Sequence, residues 1–291
     1  MSKQKNINTL TREAEQAWNN LSLASNFIFQ KVMQNEELCI KVLSEILGIE
    51  IKKVEYPQYE KTIDIRYDSK SIRLDVYVKD ENETIYNIEI QNLNSDSIPK
   101  RGRYYQGLID LDLIEKGCYY KELNKSIVIF ICSFDLYSLN QYIYSFTYKC
   151  DQIKDLEYGD ETTKIIINTY GTEGDASEDF KDFLKCINGE FTSTDFSDKL
   201  KLEIDKVKRS RKFRREFMTL YLHEEEIRRE YHELGKSEGL EIGRAEGLIE
   251  GTLLLAVKYY TKGRISLEEA LKDTGLCETE FLKKVDIYNK K

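Results

Sequence analysis

The chain has 291 residues, 33 % of them charged, and its 44 Lys or Arg against 52 Asp or Glu leave a formal net charge of −8. That is the composition of a globular protein with one large core or two small ones, and the acid excess argues against a surface basic all round, as a nucleic-acid coat protein would need. The longest strongly apolar run, Ile127–Cys132, falls far short of the ~20 residues of a spanning helix. Residues 1–18 lack the apolar run of a signal peptide, so no membrane partner is expected. The six cysteines (39, 118, 132, 150, 186 and 277) are scattered without a C-x-x-C pair, which argues against a zinc site or disulfide framework and predicts reduced thiols in the cytoplasm. His223 and His232 are nine positions apart, on opposite faces of a helix, so they cannot act together on one helix as acid and base.

In chain order, residues 1–24 are polar and read as a loosely docked arm. A helix is expected from Ser25 or Asn26, with Phe27, Ile28, Val32 and Met33 at helical spacing. A second is expected over Glu36–Leu47, stopped by Gly48. Ile49–Glu60, with Pro57, reads as a connector or edge strand, and Thr62–Tyr67 as a strand whose Asp64 is a secondary site candidate.

The stretch Ile72–Gln91 reads as a hairpin. Leu74, Val76 and Val78 alternate with Asp75, Tyr77 and Lys79; Tyr86, Ile88 and Ile90 alternate with Asn87, Glu89 and Gln91. Asp80–Glu83 supplies the turn. Centring the hairpin on Asn82 puts Asp75 opposite Glu89, with Gln91 next along the same face. Like charges held opposite each other are destabilising, and a divalent cation between them removes that cost. The same alternation also describes two solvated acids on the polar face of an edge hairpin.

Pro99 can open the next helix, whose start carries Lys100, Arg101 and Arg103; a helix N-terminus with such cations suits a phosphate, although solvated cations over a packed Tyr104 and Tyr105 fit equally. Gly117 is expected to end it. Lys125–Phe134 reads as a buried central strand, with further strands at Ile143–Tyr148 and Lys164–Asn168. Residues 171–200 read as a polar boundary with a short helix near Phe180–Ile187, and Lys201–Tyr260 as helix. Nine Lys or Arg between 199 and 215 face two acids there, and Lys208, Arg211 and Arg215 are candidates for phosphate contact, against the alternative of a solvated helix face. Glycines at 235, 239, 243, 247 and 251 recur every four residues. They predict a self-associating helix, or, if unpacked, a frayed tether. The tail fits two short helices around Thr274-Gly275-Leu276, spaced like a helix-turn-helix, but acids at Glu278 and Glu280 open the second.

The spacing D-x13-E-x-Q over Asp75, Glu89 and Gln91 resembles the PD-(D/E)XK nuclease signature, with Gln91 where Lys is usual and Leu74 where Pro is usual. The segments NFIFQKVM (26–33), RLDVYVKDENETIYNIEIQ (73–91), KRGRYYQGLID (100–110), SIVIFICSFDLY (126–137) and GDETTKIIINTYG (159–171), with the glycine-spaced helix, resemble the Rpn family of recombination-promoting nucleases and transposase-like proteins. The resemblance implies an α/β nuclease core with a mixed sheet flanked by helices, then a long α-helical C-terminal region. The division expected is an arm over 1–24, the core over 25–171, a boundary over 172–200, the long helical region over 201–262 and a helical hairpin over 263–291. It further implies a DNA endonuclease in which Asp75, Glu89 and the Ile90 carbonyl hold Mg2+ or Mn2+ and Gln91 orients water. Glu36, Glu37 and Glu45 remain open as an added acid. Arg101, Arg103 and Tyr105, with Lys208, Arg211 and Arg215, would meet DNA, and the C-terminal helix would pair two copies. Gln91 for Lys leaves open a catalytically weak or inactive DNA-binding or interaction protein; a DDE-type transposase needs a third acid that nothing in the sequence marks.

Overall fold

The structure, a computed structural model, describes residues 2–56, 62–63, 72–114 and 117–289. Residues 1–219 form one compact unit and 220–291 a second. The first contains α1 (Ser2–Asn20), α2 (Asn26–Val32), α3 (Glu36–Leu47), β1 (Val54–Glu55), β2 (Thr62–Ile63), β3 (Ile72–Arg73), β4 (Val76–Asp80), β5 (Ile85–Gln91), α4 (Ile98–Leu113), β6 (Ser126–Cys132), β7 (Ile143–Phe146), β8 (Thr162–Asn168), α5 (Glu178–Ile187) and α6 (Asp195–Arg209). Helix α7 (Arg211–Thr261) runs through both, and α8 (Leu267–Thr274) and α9 (Glu278–Asn289) complete the second.

Six strands form one mixed sheet in the order β1-β4-β5-β6-β8-β7. β4 and β5 are the antiparallel hairpin; β5, β6 and β8 run parallel, and β7 returns antiparallel. β2 and β3 make a separate two-stranded ladder, so the first arm of the expected hairpin is interrupted at Leu74 and Asp75. The β-branched run of β6 is buried throughout at the centre of the sheet. A parallel β5–β6 pair requires a crossover, and α4 supplies it, packing Ile98, Tyr105, Leu108 and Ile109 on Tyr77, Ile85, Val128, Phe130 and Ile166. Tyr86, Ile88 and Ile90 are buried on the opposite face. β5 is thus covered on both sides, and its one acid, Glu89, lies towards the carboxyl end of a parallel strand, where open α/β sheets carry their sites.

Asn35 caps α3 through its side chain, and Gly48 ends that helix in the left-handed region at φ 64°. Asp80 is buried and builds the hairpin turn, accepting from the N–H groups of Asn82 and Thr84 and from the Tyr86 hydroxyl.

Four expectations are corrected. The polar N-terminal stretch is not a loose arm: α1 buries Ala14 and Trp18, four apart on one face, and the Trp18 ring lies 6.0 Å from Phe27 and 5.5 Å from Phe217. The polar 172–200 stretch belongs to the first unit, because α5 and α6 bury Phe180, Phe183, Leu184, Phe196 and Leu200 within it. α4 stops at Leu113, where Ile114 turns extended, before Gly117. The helix expected from Lys201 is two, broken at Ser210, whose backbone is extended at ψ 115°. Pro57 and Asp64 lie outside the described residues.

In the second unit, Ala256 and Val257 of α7 pack with Ala270 of α8 and Phe281 and Val285 of α9. Ser266 and Glu269 form a reciprocal capping box at α8, and Gly275 closes it in the left-handed conformation. The five spaced glycines lie inside an unbroken helix of 51 residues, and a Cβ on any of them meets no atom within 4 Å among the described residues. Among the described residues no helix is long and apolar enough to cross a membrane.

Candidate active site

The hairpin register pairs Val76 with Ile88 and Tyr77 with Asn87. One step further along lie Asp75 and Glu89, and the Asp75 N–H donates to Glu89 Oε1 at 3.2 Å. Glu89 is only 3 % exposed, so it is not a solvated residue on an edge hairpin. Asn87 Nδ2 donates to the same Oε1 at 3.1 Å, and Arg101 Nη2 stands 3.8 Å from Oε2. Burial first, and then the charge of Asp75, push the Glu89 carboxyl up to about 8; the two hydrogen bonds and Arg101 act in the opposite direction.

Asp75 sits in a bend and is held from α2. Asn26 Nδ2 donates to its Oδ2 at 3.0 Å and Gln30 Nε2 to its Oδ1 at 3.1 Å. These residues are four apart and so share a face of α2. The Ile90 N–H also points at Asp75 Oδ2, at 3.3 Å. In a strand the N–H and C=O of one residue face the same edge, so the Ile90 carbonyl faces Asp75 as well.

Arg101, in the first turns of α4, reaches the same place. Its Nη1 donates to Gln91 Oε1 at 2.5 Å and its Nη2 to the Tyr105 hydroxyl at 3.0 Å. The guanidinium lies 5.4 Å from the Tyr105 ring and 5.6 Å from that of Phe130. Gln91 Nε2 donates to the Leu93 carbonyl at 3.1 Å. Gln91 therefore has its amide held at both ends, with a fixed cation beside it where the usual motif carries a lysine.

The structure thus brings together Asp75, Glu89, Ile90, Gln91, Arg101 and Tyr105, and adds Asn26, Gln30 and Asn87, which sequence reasoning missed. The local signal was the i, i+4 pair of amides in a helix whose other positions are apolar but for Lys31. Arg103 is exposed, two residues from Arg101. Lys208, Arg211 and Arg215 lie elsewhere, at the α6–α7 junction; Lys208 donates to the Asn19 carbonyl at 3.1 Å, and Arg211 and Arg215 are exposed. Glu37 pairs with Lys199, and Glu45 with Lys41 and Ser177.

The donor set is suited to a hard cation. Among the described residues no group of three or more His, Cys, Asp or Glu gathers, so a cation would rest on two carboxylates and backbone or amide oxygen. Mg2+ is often bound that way, keeping several waters. Asn87 Oδ1 is buried beside Glu89 with no hydrogen-bond partner among the described residues, so acceptor capacity is left over.

A buried Glu89 near the end of a parallel strand, a half-buried Asp75 beside it and a crossover helix behind them make up an α/β site. The chain belongs to the PD-(D/E)XK nuclease family transposases, whose family model matches residues 26–226. No curated protein and no solved structure matches the chain.

Proposed function

We propose that this chain is a Mg2+-dependent DNA endonuclease that hydrolyses phosphodiester bonds at Asp75 and Glu89. The observation that carries the reading is the contact between half-buried Asp75 and buried Glu89, made by the Asp75 N–H and Glu89 Oε1 at 3.2 Å. Asp75, Glu89 and the Ile90 carbonyl would hold the cation, and Mn2+ would serve in its place. Bound there, it would activate water and neutralise charge on the phosphate. Asn26 and Gln30 orient the Asp75 carboxylate. Arg101 offers the positive charge that a motif lysine would bring, and Gln91 presents its amide under the control of Arg101 and Leu93. Arg103, Lys208, Arg211 and Arg215 would contact the DNA backbone, and α7 would join two copies into a homodimer, so that two sites act on two strands. All six cysteines are free, which suits a cytoplasmic protein.

The test is incubation of the chain with supercoiled plasmid in Mg2+, with and without EDTA. Nicked and linear products are expected only without EDTA. Intact plasmid in both Mg2+ and Mn2+ would favour the catalytically silent DNA-binding alternative that Gln91 leaves open.

A further inference from the structure

The sheet register that brings Asp75 to Glu89 also lays out the face beyond them. Directly paired residues project to one face, so Glu89, Phe130, Ile166 and Tyr144 form a row across β5, β6, β8 and β7. Asn87, Val128, Lys164 and Phe146 form the next row. At about 4.8 Å between strands, β8 lies about 10 Å and β7 about 14 Å from Glu89. Between these strands and the start of α4 is a cavity of about 300 Å³, walled by Arg103, Phe130, Tyr137, Phe146, Tyr148 and Lys164.

Phe130 is common to this cavity and the candidate active site, because the Arg101 guanidinium rests 5.6 Å from its ring. Gly102 permits the close approach: a Cβ there would lie 3.3 Å from Phe130 Cε2. The lining contains two cations and no acid. Lys164 Nζ stands 5.0 Å from the Tyr148 ring. Tyr148 and Phe146 are 52 % and 42 % exposed, with neighbouring rings of Tyr158 at 6.3 Å and Tyr137 at 5.4 Å. Exposed rings beside two cations match a nucleotide, with a π-face to stack and a phosphate to pair, although Lys164 also donates to Thr162 Oγ1 at 3.0 Å and feels the charges of Asp160 and Asp110. A base within a duplex offers no free face, so it must be unpaired or extruded to enter.

We propose that this cavity binds one unpaired nucleotide of a DNA strand, next to the phosphate held at Asp75 and Glu89, so that the substrate is single-stranded or locally opened DNA. The placement beside a scissile phosphate rests on the nuclease reading; binding of the base does not. The test is fluorescence anisotropy of the full chain, in EDTA, with a labelled single strand, its duplex, and the same strand carrying abasic sites. The single strand is expected to bind more tightly than the other two. Tyr148→Ala and Phe146→Ala should each weaken single-strand binding by about 5- to 150-fold, the loss of one stacked base, with abasic binding unchanged as a check on folding. Equal affinity for the intact and abasic strands, or single-strand binding untouched by both substitutions, would overturn the proposal and leave the cavity to another occupant. Aromatic-dependent binding without Mg2+-dependent cleavage would sink the nuclease reading alone; cleavage without aromatic dependence would sink this one alone.

Discussion

Glu89 is the residue on which the proposed chemistry turns, because it is buried beside a second acid, with the Arg101 guanidinium nearby. Its carboxyl titrates higher in the folded chain than in the unfolded one, so between the ordinary glutamate range and about 8 the native state holds the extra proton. Stability is therefore full below the ordinary range and falls as pH rises through about 8. In EDTA the wild type should melt progressively lower from pH 5 to pH 9, and Glu89→Gln should flatten that dependence, melting on the order of 5 °C higher at pH 9. Added Mg2+ should restore the wild type at high pH, since a ligand of the native state stabilises it. A pH profile identical in the two proteins would contradict the assignment of Glu89 as the strained acid. Arg101→Ala should cut cleavage at least tenfold, with Arg101→Lys recovering part of it, if a fixed charge is what the helix supplies. Gln91→Lys should keep the fold and retain or raise cleavage, read by the same plasmid assay; a folded but inactive Gln91→Lys would show that the amide has a role of its own. Asp75 and Glu89 were legible in the sequence because alternation and a polar turn fix a hairpin register locally. Asn26 and Gln30 were not, because their contact with Asp75 spans more than forty residues and leaves no periodic trace.

Among the elements, the sheet was read well and the helices less so. β6 is a continuous β-branched run, which only a strand covered on both faces needs. α1 was missed as a packed helix because its apolar stripe is sparse, with Ala14 and Trp18 in a polar sequence, and one of its partners, Phe217, lies far along the chain on α7. α5 was expected near Phe180–Ile187, but the start of α6 hid in a stretch rich in Asp, Ser and Thr, although the Thr194 side chain caps it. α7 poses the sharpest question at this scale. Its five glycines each disfavour the helix by ~1 kcal/mol relative to Ala, and nothing within 4 Å among the described residues packs on them. If a second copy fills that stripe, Gly239→Leu, Gly243→Leu and Gly247→Leu combined should convert a sedimenting dimer into a monomer at micromolar concentration. A monomeric wild type would make the stripe a tether, and changing the same three glycines to Ala would then raise helix stability without changing mass.

For the whole molecule, the family match over residues 26–226 takes in the sheet, α4 and the first turns of α7. Under the proposed function an acidic chain would have to meet DNA through concentrated cations, and its clusters stand at the start of α4 and at the α6–α7 junction. Its DNA affinity should accordingly fall steeply with salt, in proportion to the few phosphates these clusters can meet, and replacing Arg211 and Arg215 by Ala should shallow that slope by roughly two contacts. The central claim is that Asp75 and Glu89 together make the cleaving site. It is tested most directly by the initial rate of plasmid nicking in Mg2+ for the wild type, Asp75→Ala and Glu89→Ala, each confirmed folded by circular dichroism. The account predicts cleavage by the wild type and none above the EDTA background for either variant; nicking by both variants at the wild-type rate would contradict it.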